Sequence, residues 1–201
     1  MTPDAPNRCE DCPGWNAAQP HAGGISALQR YTGATVAASK AGARALEGGL
    51  PTPDDPQIGM GATFHAFPPV RRIRVVADGE VVKVGPLAVT AHYTPGHTPG
   101  ATTWTWQSCE GSRCLNLVYA DSLNAVSSDG FRFTGDAKTP SIVESFRKSI
   151  DTVEKLPCDI KVKKQAADPN TNPFINPGEC RTYAADARTR LEARVAEEQK
   201  K

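Results

Sequence analysis

The segment that decides the fold is residues 94–100, which read TPGHTPG. It lies between two stretches with strand-like alternation, residues 87–93 and residues 102–106. Two prolines and two glycines around one imidazole predict a rigid corner between strands, where folds hold ligand or catalytic side chains. His97 is therefore a candidate metal ligand. The alternative is a corner histidine that only bonds a backbone group.

The composition is that of a globular protein with a mixed α and β structure. The chain has 201 residues, of which 39% are hydrophobic, with 17 glycines and 17 prolines. A formal net charge of +1 gives no field that would attract nucleic acid or an anionic membrane. No apolar run is long enough for a membrane span, and the first residues lack the pattern of a signal peptide. As written, the sequence predicts a cytoplasmic protein.

The chain then alternates helices and strands. A short helix around Ile25 and Leu28 is expected to end at Gly33, followed by a strand at residues 34–38 and a helix capped by Ser39. Residues 50–69 predict a long loop. Residues 71–76 and 81–84 predict a hairpin across Asp78-Gly79 that opens an antiparallel meander.

Later elements are predicted by the same periodicities. Residues 102–106 and 115–119 are half-buried strands, and residues 159–162 are a short strand. Ser141 and Glu144 predict a capping box at the start of a helix. Asn176 precedes a final helix, in which residues 197–201 are expected to fray into solvent. The apolar face of that helix comprises Tyr183, Ala187, Leu191 and Val195. An α+β sandwich with helices outside its sheets follows.

Several motifs in the same order resemble metallo-β-lactamases of class B, subclass 3. They are HAGG at residues 21–24, LPTPDDP at 50–56, the TPGHTPG corner, YADSLN at 119–124 and LPCD at 156–159. The resemblance implies an αββα sandwich whose cleft holds zinc, and hydrolysis of β-lactams by a zinc-bound hydroxide. Zinc supports that reaction because it lowers the pKa of bound water to about 7 and polarises the carbonyl. It also implies a role in antibiotic resistance and a periplasmic or secreted location.

The family's ligand set is HxHxDH before AGG, the histidine of GHTPG, and a histidine after LPCD. By this resemblance His21 and His97 are the retained metal ligands. The other ligand positions are held by Asn16, Ala18, Pro20 and, approximately, Gln165. A catalytic zinc needs about three protein ligands, so impaired or lost hydrolysis is predicted.

Further site residues also come from the resemblance. Ser122 would face substrate or a zinc-bound water, and Asn124 would border the pocket. Asp121 would lie next to the metal ligands without binding the metal itself. A plain turn held by Asx-type hydrogen bonds explains residues 121–124 equally well.

Cysteines provide two further predictions and one open alternative. The resemblance pairs Cys158 with Cys180 in a disulfide, and Cys109 with Cys114 is a second candidate across a tight turn. Cys9 and Cys12 with His21 supply three zinc donors, and the alternative is that this leader is disordered. Disulfides favour an oxidising compartment, in conflict with the cytoplasmic prediction above.

The predicted organisation is an unpatterned leader, residues 1–20, and a partial metallo-β-lactamase-like domain, residues 21–201. The family's opening strands are missing, which predicts uncovered sheet edges and self-association. Whether the chain is an enzyme stays open between two hypotheses. It is an impaired zinc-dependent β-lactam hydrolase, or a non-catalytic remnant that acts as a binding or interaction module. A third hypothesis is that a longer chain supplies the missing strands.

Overall fold

The computed structural model describes residues 22–61, 66–161 and 175–200. Within these ranges it contains helices packed on β-sheets, together with a 3-10 turn at Ile58–Met60. No helix in the described ranges is both long and apolar enough to cross a membrane. In chain order the elements are α1 (Ile25–Thr32), β1 (Val36–Ala38), α2 (Lys40–Gly48), β2 (Ile73–Val75), β3 (Val81–Val84), β4 (Leu87–Tyr93), β5 (Thr102–Glu110), β6 (Arg113–Tyr119), α3 (Val143–Lys155), β7 (Ile160–Lys161) and α4 (Glu179–Glu198).

The strands form two sheets of unequal size. The larger has five strands in the order β3-β4-β5-β6-β7, antiparallel except for the parallel pair β6 and β7. The smaller contains β1 and β2, which run parallel. The short strand expected at residues 159–162 is thus present as β7. This α+β arrangement agrees with the predicted fold class.

The hairpin predicted across Asp78-Gly79 is wrong. β2 pairs with β1 in the small sheet, whereas β3 pairs with β4 in the large one. The reason is the hydrogen bonding of the turn: Gly79 N donates to Ala91 O at 2.8 Å, and Ala91 N donates to Glu80 O at 3.0 Å. The turn therefore bonds to β4 and carries the chain from one sheet to the other.

The main core lies between the large sheet and the helices α3 and α4. The sheet contributes Val118, α3 contributes one apolar face, and the apolar face predicted for the last helix is buried except for Tyr183, which is partly buried. Burying such side chains contributes about 1.5 to 3 kcal/mol each, so this layer is the principal source of stability. Its buried residues are Val118, Leu123, Phe133, Val143, Phe146, Ile150, Val153, Cys158, Cys180, Ala184, Ala187, Leu191 and Val195.

Helix α1 is attached by polar contacts. It ends where expected, at Gly33, whose φ of 71° suits glycine. Leu28 is 64% exposed, whereas Gln29 is buried. The Gln29 side chain donates to Ala34 O at 3.2 Å and Arg72 O at 2.9 Å and accepts from Arg71 N at 3.0 Å. These bonds join α1 to the residues that lead into both strands of the small sheet.

One helix cap is confirmed and one is wrong. Ser39 caps α2, with Gly42 N donating to its Oγ at 3.1 Å. The capping box at Ser141 does not form, because α3 begins after Ile142 and its N-cap makes no side-chain hydrogen bond. The Ser141 hydroxyl donates to Phe133 O at 3.2 Å instead, so the preceding loop determines its direction.

The solvated end predicted for the last helix is wrong at Glu198, which is buried, whereas residues 197, 199 and 200 are exposed as expected. Its carboxylate accepts from Phe133 N at 3.1 Å, Thr134 N at 2.9 Å and Arg194 Nε at 2.8 Å. Burial raises the pKa of Glu198, but the hydrogen bonds from Thr134, Arg194 and Phe133 outweigh it and leave the pKa below its usual value. The end of α4 is thereby attached to residues 133–134.

Candidate functional site

The corner at residues 94–100 is present between β4 and β5, and both of its glycines are required by close packing. Gly96 has a φ of 152°, and a Cβ there would lie 2.4 Å from the Phe146 ring of α3. A Cβ at Gly100 would lie 2.4 Å from the backbone of Gly42 in α2. Real Cβ atoms do not approach other atoms so closely, so any larger residue would displace the corner from its helices.

Two serine hydroxyls attach the same corner to the helices. Ser39 Oγ donates to Gly100 O at 2.8 Å, and Ser149 Oγ donates to Pro95 O at 2.6 Å. Since both serines belong to or directly precede helices, the position of His97 is set by rigid elements on either side.

His97 is buried, and its ring has a defined hydrogen-bonding state. Its Nδ1 lies 2.8 Å from the Asn124 backbone oxygen. A carbonyl oxygen only accepts, so Nδ1 carries a proton, and in the neutral ring Nε2 then has the lone pair. That is the state in which an imidazole binds a metal through Nε2 while its other nitrogen is held by a second group.

Gln57 stands beside this lone pair. Its side-chain nitrogen donates to His97 O at 3.2 Å and lies 3.5 Å from His97 Nε2. The Gln57 backbone is fixed in turn, because its N–H donates to Asp55 Oδ1 at 2.8 Å. An amide donor therefore faces the ring nitrogen that a metal would use.

Residues 121–124 follow β6 and lie next to the histidine corner. Asp121 Oδ1 accepts from Ser122 N at 2.7 Å, its Oδ2 accepts from Thr102 N at 3.3 Å, and Ser122 Oγ accepts from Asn124 N at 3.3 Å. The bonds from Ser122 N and Asn124 N are the local side-chain bonds of the turn interpretation, whereas the bond from Thr102 N ties the segment to β5. The segment reaches His97 through the Asn124 backbone oxygen.

The remaining predicted ligand positions lie outside the described residues. They are His21, Asn16, Ala18, Pro20 and Gln165, and the pair Cys9 and Cys12 also falls there. Among the residues that the structure does describe, no group of three or more His, Cys, Asp or Glu side chains is arranged to hold a metal ion.

Both disulfides predicted within the described ranges are present. Cys158 bonds to Cys180, which ties the segment before β7 to the start of α4. Cys109 bonds to Cys114 across the hairpin of β5 and β6, where the two residues are directly paired.

Sequence reasoning missed two residues of this site. Gln57 directly follows the LPTPDDP stretch, and that adjacency was the available signal. Tyr183 was identified only by its place on the apolar face of the last helix. Its hydroxyl in fact bonds the backbone of residues 121–123, and helical periodicity gives no information on such a bond.

An α+β sandwich with a Pro-Gly histidine corner beside the loop after β6 defines the metallo-β-lactamase fold. No protein-family model matches the sequence. The structure is similar to that of the Rm3 metallo-β-lactamase, with 44% identity, a TM-score of 0.82, and coverage of 89% of this chain and 70% of that one. It is also similar to SMB-1, with 47% identity, a TM-score of 0.78, and coverage of 89% and 71%.

A third structure identifies the subclass. MEM-A1, a subclass B3 metallo-β-lactamase from a soil metagenome library, is 44% identical with a TM-score of 0.79, and the match covers 89% of this chain and 71% of that one. The chain belongs to the subclass B3 metallo-β-lactamases.

Proposed function

We propose that this chain is a subclass B3 homologue in which the family reaction, zinc-dependent hydrolysis of β-lactams, is impaired. The observation that carries the proposal is the chemistry of its donor set. Beside His21 and His97, the corresponding positions offer Ala18 and Pro20, which have no donor side chain. Asn16 and Gln165 offer neutral amides, which are poor zinc ligands next to imidazole or thiolate. These residues do not fit the family's zinc centre.

The geometry of His97 supports descent from a metal-binding ancestor. Its Nδ1 donates to Asn124 O, so Nε2 has the lone pair that a ligand needs. A single imidazole does not replace the roughly three protein ligands of a catalytic zinc. The retained corner therefore supports the family assignment more strongly than it supports activity.

Ser122 and Asn124 are proposed to border the substrate position, and Asp121 to hold their loop in place. Support comes from the contact between this loop and His97, and from the hydrogen bonds that the Asp121 carboxylate accepts from two backbone amides. If β-lactams still bind, Ser122 is the side chain that we expect to contact them.

The first test measures zinc content by mass spectrometry and nitrocefin hydrolysis on the purified protein. We expect much less than one zinc per chain and no turnover above the buffer rate. Near-stoichiometric zinc together with turnover would overturn the proposal.

A variant with restored donors makes the same assay quantitative. Asn16→His, Ala18→His and Pro20→Asp together should raise the zinc content, because they return three donor side chains beside His21. The matched control adds His97→Ala to that variant. It should lower zinc content again if the corner histidine belongs to the restored site.

A second candidate function is an interaction module that pairs with another copy of itself. Its basis is the aromatic face of the large sheet, defined by Val84, Leu87, Trp104, Trp106, Leu117 and Tyr119. Strand register places Trp104 opposite Tyr119 and Trp106 opposite Leu117, so these side chains share one side. Tyr119 is 54% exposed and Val84 66% exposed, so this apolar face is incompletely covered.

A second copy suits this face because the six residues that define it are uncharged, and along β5 and β6 the first charged pair on this side is Glu110 and Arg113 at the hairpin tip. Glu80, which precedes β3 on the same side, is paired with Arg74. Twofold symmetry places a surface opposite an identical surface, so any charge near the axis would face a like charge and be repelled. Two uncharged sheets can instead stack face to face at about 10 Å. The net charge of +1 adds little repulsion.

Light scattering after size-exclusion chromatography tests this second candidate. We expect a dimer that becomes a monomer when Val84→Lys and Tyr119→Lys place charges on the aromatic face. The control is Leu28→Lys on the exposed side of α1, which should leave the mass unchanged. A wild-type protein that stays a stable monomer at high concentration contradicts this function.

The two disulfides support a role in an oxidising compartment. We therefore propose a periplasmic or secreted location, as the family resemblance implies. Thiol labelling of denatured, unreduced protein from each cell fraction tests this, since a cytoplasmic protein would then label at Cys158 and Cys180, which are buried in the fold.

A further inference from the structure

We propose that Tyr183 is a positioning residue that fixes the hydrogen-bonded state of the His97 ring through the backbone of residues 121–124. His97 belongs to the site of the proposed function, but which of its ring nitrogens carries the proton is a property of the folded chain. It holds whether or not zinc binds and whether or not β-lactams are hydrolysed.

The first step is the contact between Tyr183 and the loop. Tyr183 lies in α4, and its hydroxyl oxygen accepts from Leu123 N at 2.8 Å while the hydroxyl donates to Asp121 O at 3.1 Å. The Leu123 side chain is fully buried in the main core. One hydroxyl thus satisfies a donor and an acceptor of the loop on either side of Ser122.

The second step leads from the loop to the imidazole. Asn124 follows Leu123, and its backbone oxygen accepts from His97 Nδ1 at 2.8 Å. The direction of that carbonyl decides which ring nitrogen carries the proton. Because Tyr183 holds the preceding residue, it controls where the Asn124 carbonyl points.

Burial makes the Tyr183 hydroxyl suitable for this role. The pKa of Tyr183 is raised, chiefly by burial, so the hydroxyl keeps its proton at neutral pH and remains able to donate. A phenylalanine would preserve the packing of the ring but would leave Leu123 N and Asp121 O without this partner. Unpaired buried groups are costly, so the loop is expected to rearrange toward other partners.

Local bonds within the loop do not replace this contact. Asp121 and Ser122 accept from amides one to two residues away, which shapes the turn, and Asp121 also accepts from Thr102 N, which ties the start of the loop to β5. The Leu123 amide, directly before Asn124, is held by Tyr183 instead. Tyr183 is separated from Leu123 by 60 residues. It therefore links the loop to a helix that packs in the core.

The test is nitrogen-15 NMR of labelled histidines in wild type and Tyr183→Phe, at a pH about two units above the usual histidine pKa. In wild type we expect the Nδ1–H form of His97 to predominate. In Tyr183→Phe the ratio of Nδ1–H to Nε2–H should fall about tenfold, which corresponds to losing roughly one buried hydrogen bond. His97→Gln identifies the signal by removing it.

Tyr93→Phe is the matched control, because the Tyr93 hydroxyl also donates to a backbone carbonyl, that of Val76, at a different place in the fold. It should leave the His97 ratio unchanged. An unchanged ratio in folded Tyr183→Phe would overturn the proposal.

A second measurement on the wild-type protein keeps the proposal testable if Tyr183→Phe does not fold. The Leu123 amide should exchange slowly with solvent, since it donates to a buried hydroxyl. Fast exchange of the Leu123 amide would contradict the role of Tyr183. Neither measurement involves zinc or turnover, so the failure of the proposed function leaves the outcome of this test unaffected.

Discussion

Glu198 and His97 owe their properties at the scale of single residues to hydrogen bonds made with distant segments. Glu198 accepts from Thr134, 64 residues away in sequence, and His97 donates to Asn124, 27 residues away. Both side chains are nearly excluded from water, with exposures of 6% and 7%. In such a site a polar group is stable only if its partners are in place.

Replacing Glu198 with glutamine is expected to destabilise the fold by about 2 kcal/mol at neutral pH. The amide keeps the shape of the side chain but has only one acceptor oxygen, so its NH2 group would face one of the two backbone donors, Phe133 N or Thr134 N. Urea unfolding of wild type and Glu198→Gln measures the difference. Glu197→Gln, one residue earlier and exposed, should change stability by no more than about 0.5 kcal/mol.

The contribution of Glu198 should depend on pH in one direction. Its folded pKa is depressed, so its contribution is fully present above the unfolded value of about 4.3 and is lost as the pH falls through the folded pKa. The difference in free energy of unfolding between wild type and Glu198→Gln should therefore become smaller in acid. A gap that stays constant down to the acid limit of folding would contradict this assignment.

At the scale of elements, the histidine corner depends on backbone contact with two helices. Gly100 meets Gly42 of α2, and Gly96 meets Phe146 of α3. The helices themselves depend on packing, since isolated helices of this length are marginal in water. Corner and helices therefore stabilise one another.

Gly100→Ala should destabilise the protein by about 1 to 3 kcal/mol, because the new Cβ has no room beside Gly42. It should also loosen the corner, which would appear as faster exchange of the Ala101 amide that donates to Thr98 O. Thermal unfolding and hydrogen exchange measure the two effects. Gly48→Ala is the control, since a Cβ there meets nothing within 4 Å, and it should be neutral or slightly stabilising.

At the scale of the whole molecule, the main core and the Cys158–Cys180 disulfide join the large sheet to the last helix. The core between the large sheet and helices α3 and α4 contains both Cys158 and Cys180. The other side of the sheet presents the aromatic face, where Tyr119 and Val84 are exposed. The two sides therefore contribute unequally to stability.

Removing the disulfide in Cys158→Ala with Cys180→Ala should cost about 3 kcal/mol, and removing it in Cys109→Ala with Cys114→Ala about 2 kcal/mol. The sequence separations are 22 and 5 residues, so the first bridge restricts the unfolded chain more. Urea unfolding of both double variants tests the order. A larger loss from the hairpin bridge would contradict it.

Much of the fold was predictable from local sequence. Gly33 ends α1, Ser39 caps α2, and Cys158 pairs with Cys180, as expected. The failures at Asp78-Gly79, Ser141 and Glu198 share a cause. In each case a bond outside the local pattern decides: the turn at Asp78-Gly79 bonds to β4, Ser141 bonds to Phe133 O eight residues earlier, and Glu198 bonds to residues 133–134.

The site was predictable to the same extent. Motif order identified the histidine corner and the loop at residues 121–124, because both are short and rigid. Gln57 and Tyr183 were missed, since their roles arise from contacts over 40 and 60 residues. The roles assigned to Ser122 and Asn124 remain predictions.

The sequence by itself determined the family, the corner at residues 94–100 and the substituted donors at Asn16, Ala18, Pro20 and Gln165, because each is a property of residue type and order. Tertiary structure alone decided that β2 joins the small sheet, that Glu198 is buried, and that His97 holds its proton on Nδ1. Those features depend on contacts between segments that are separate in sequence, and local propensity does not predict such contacts.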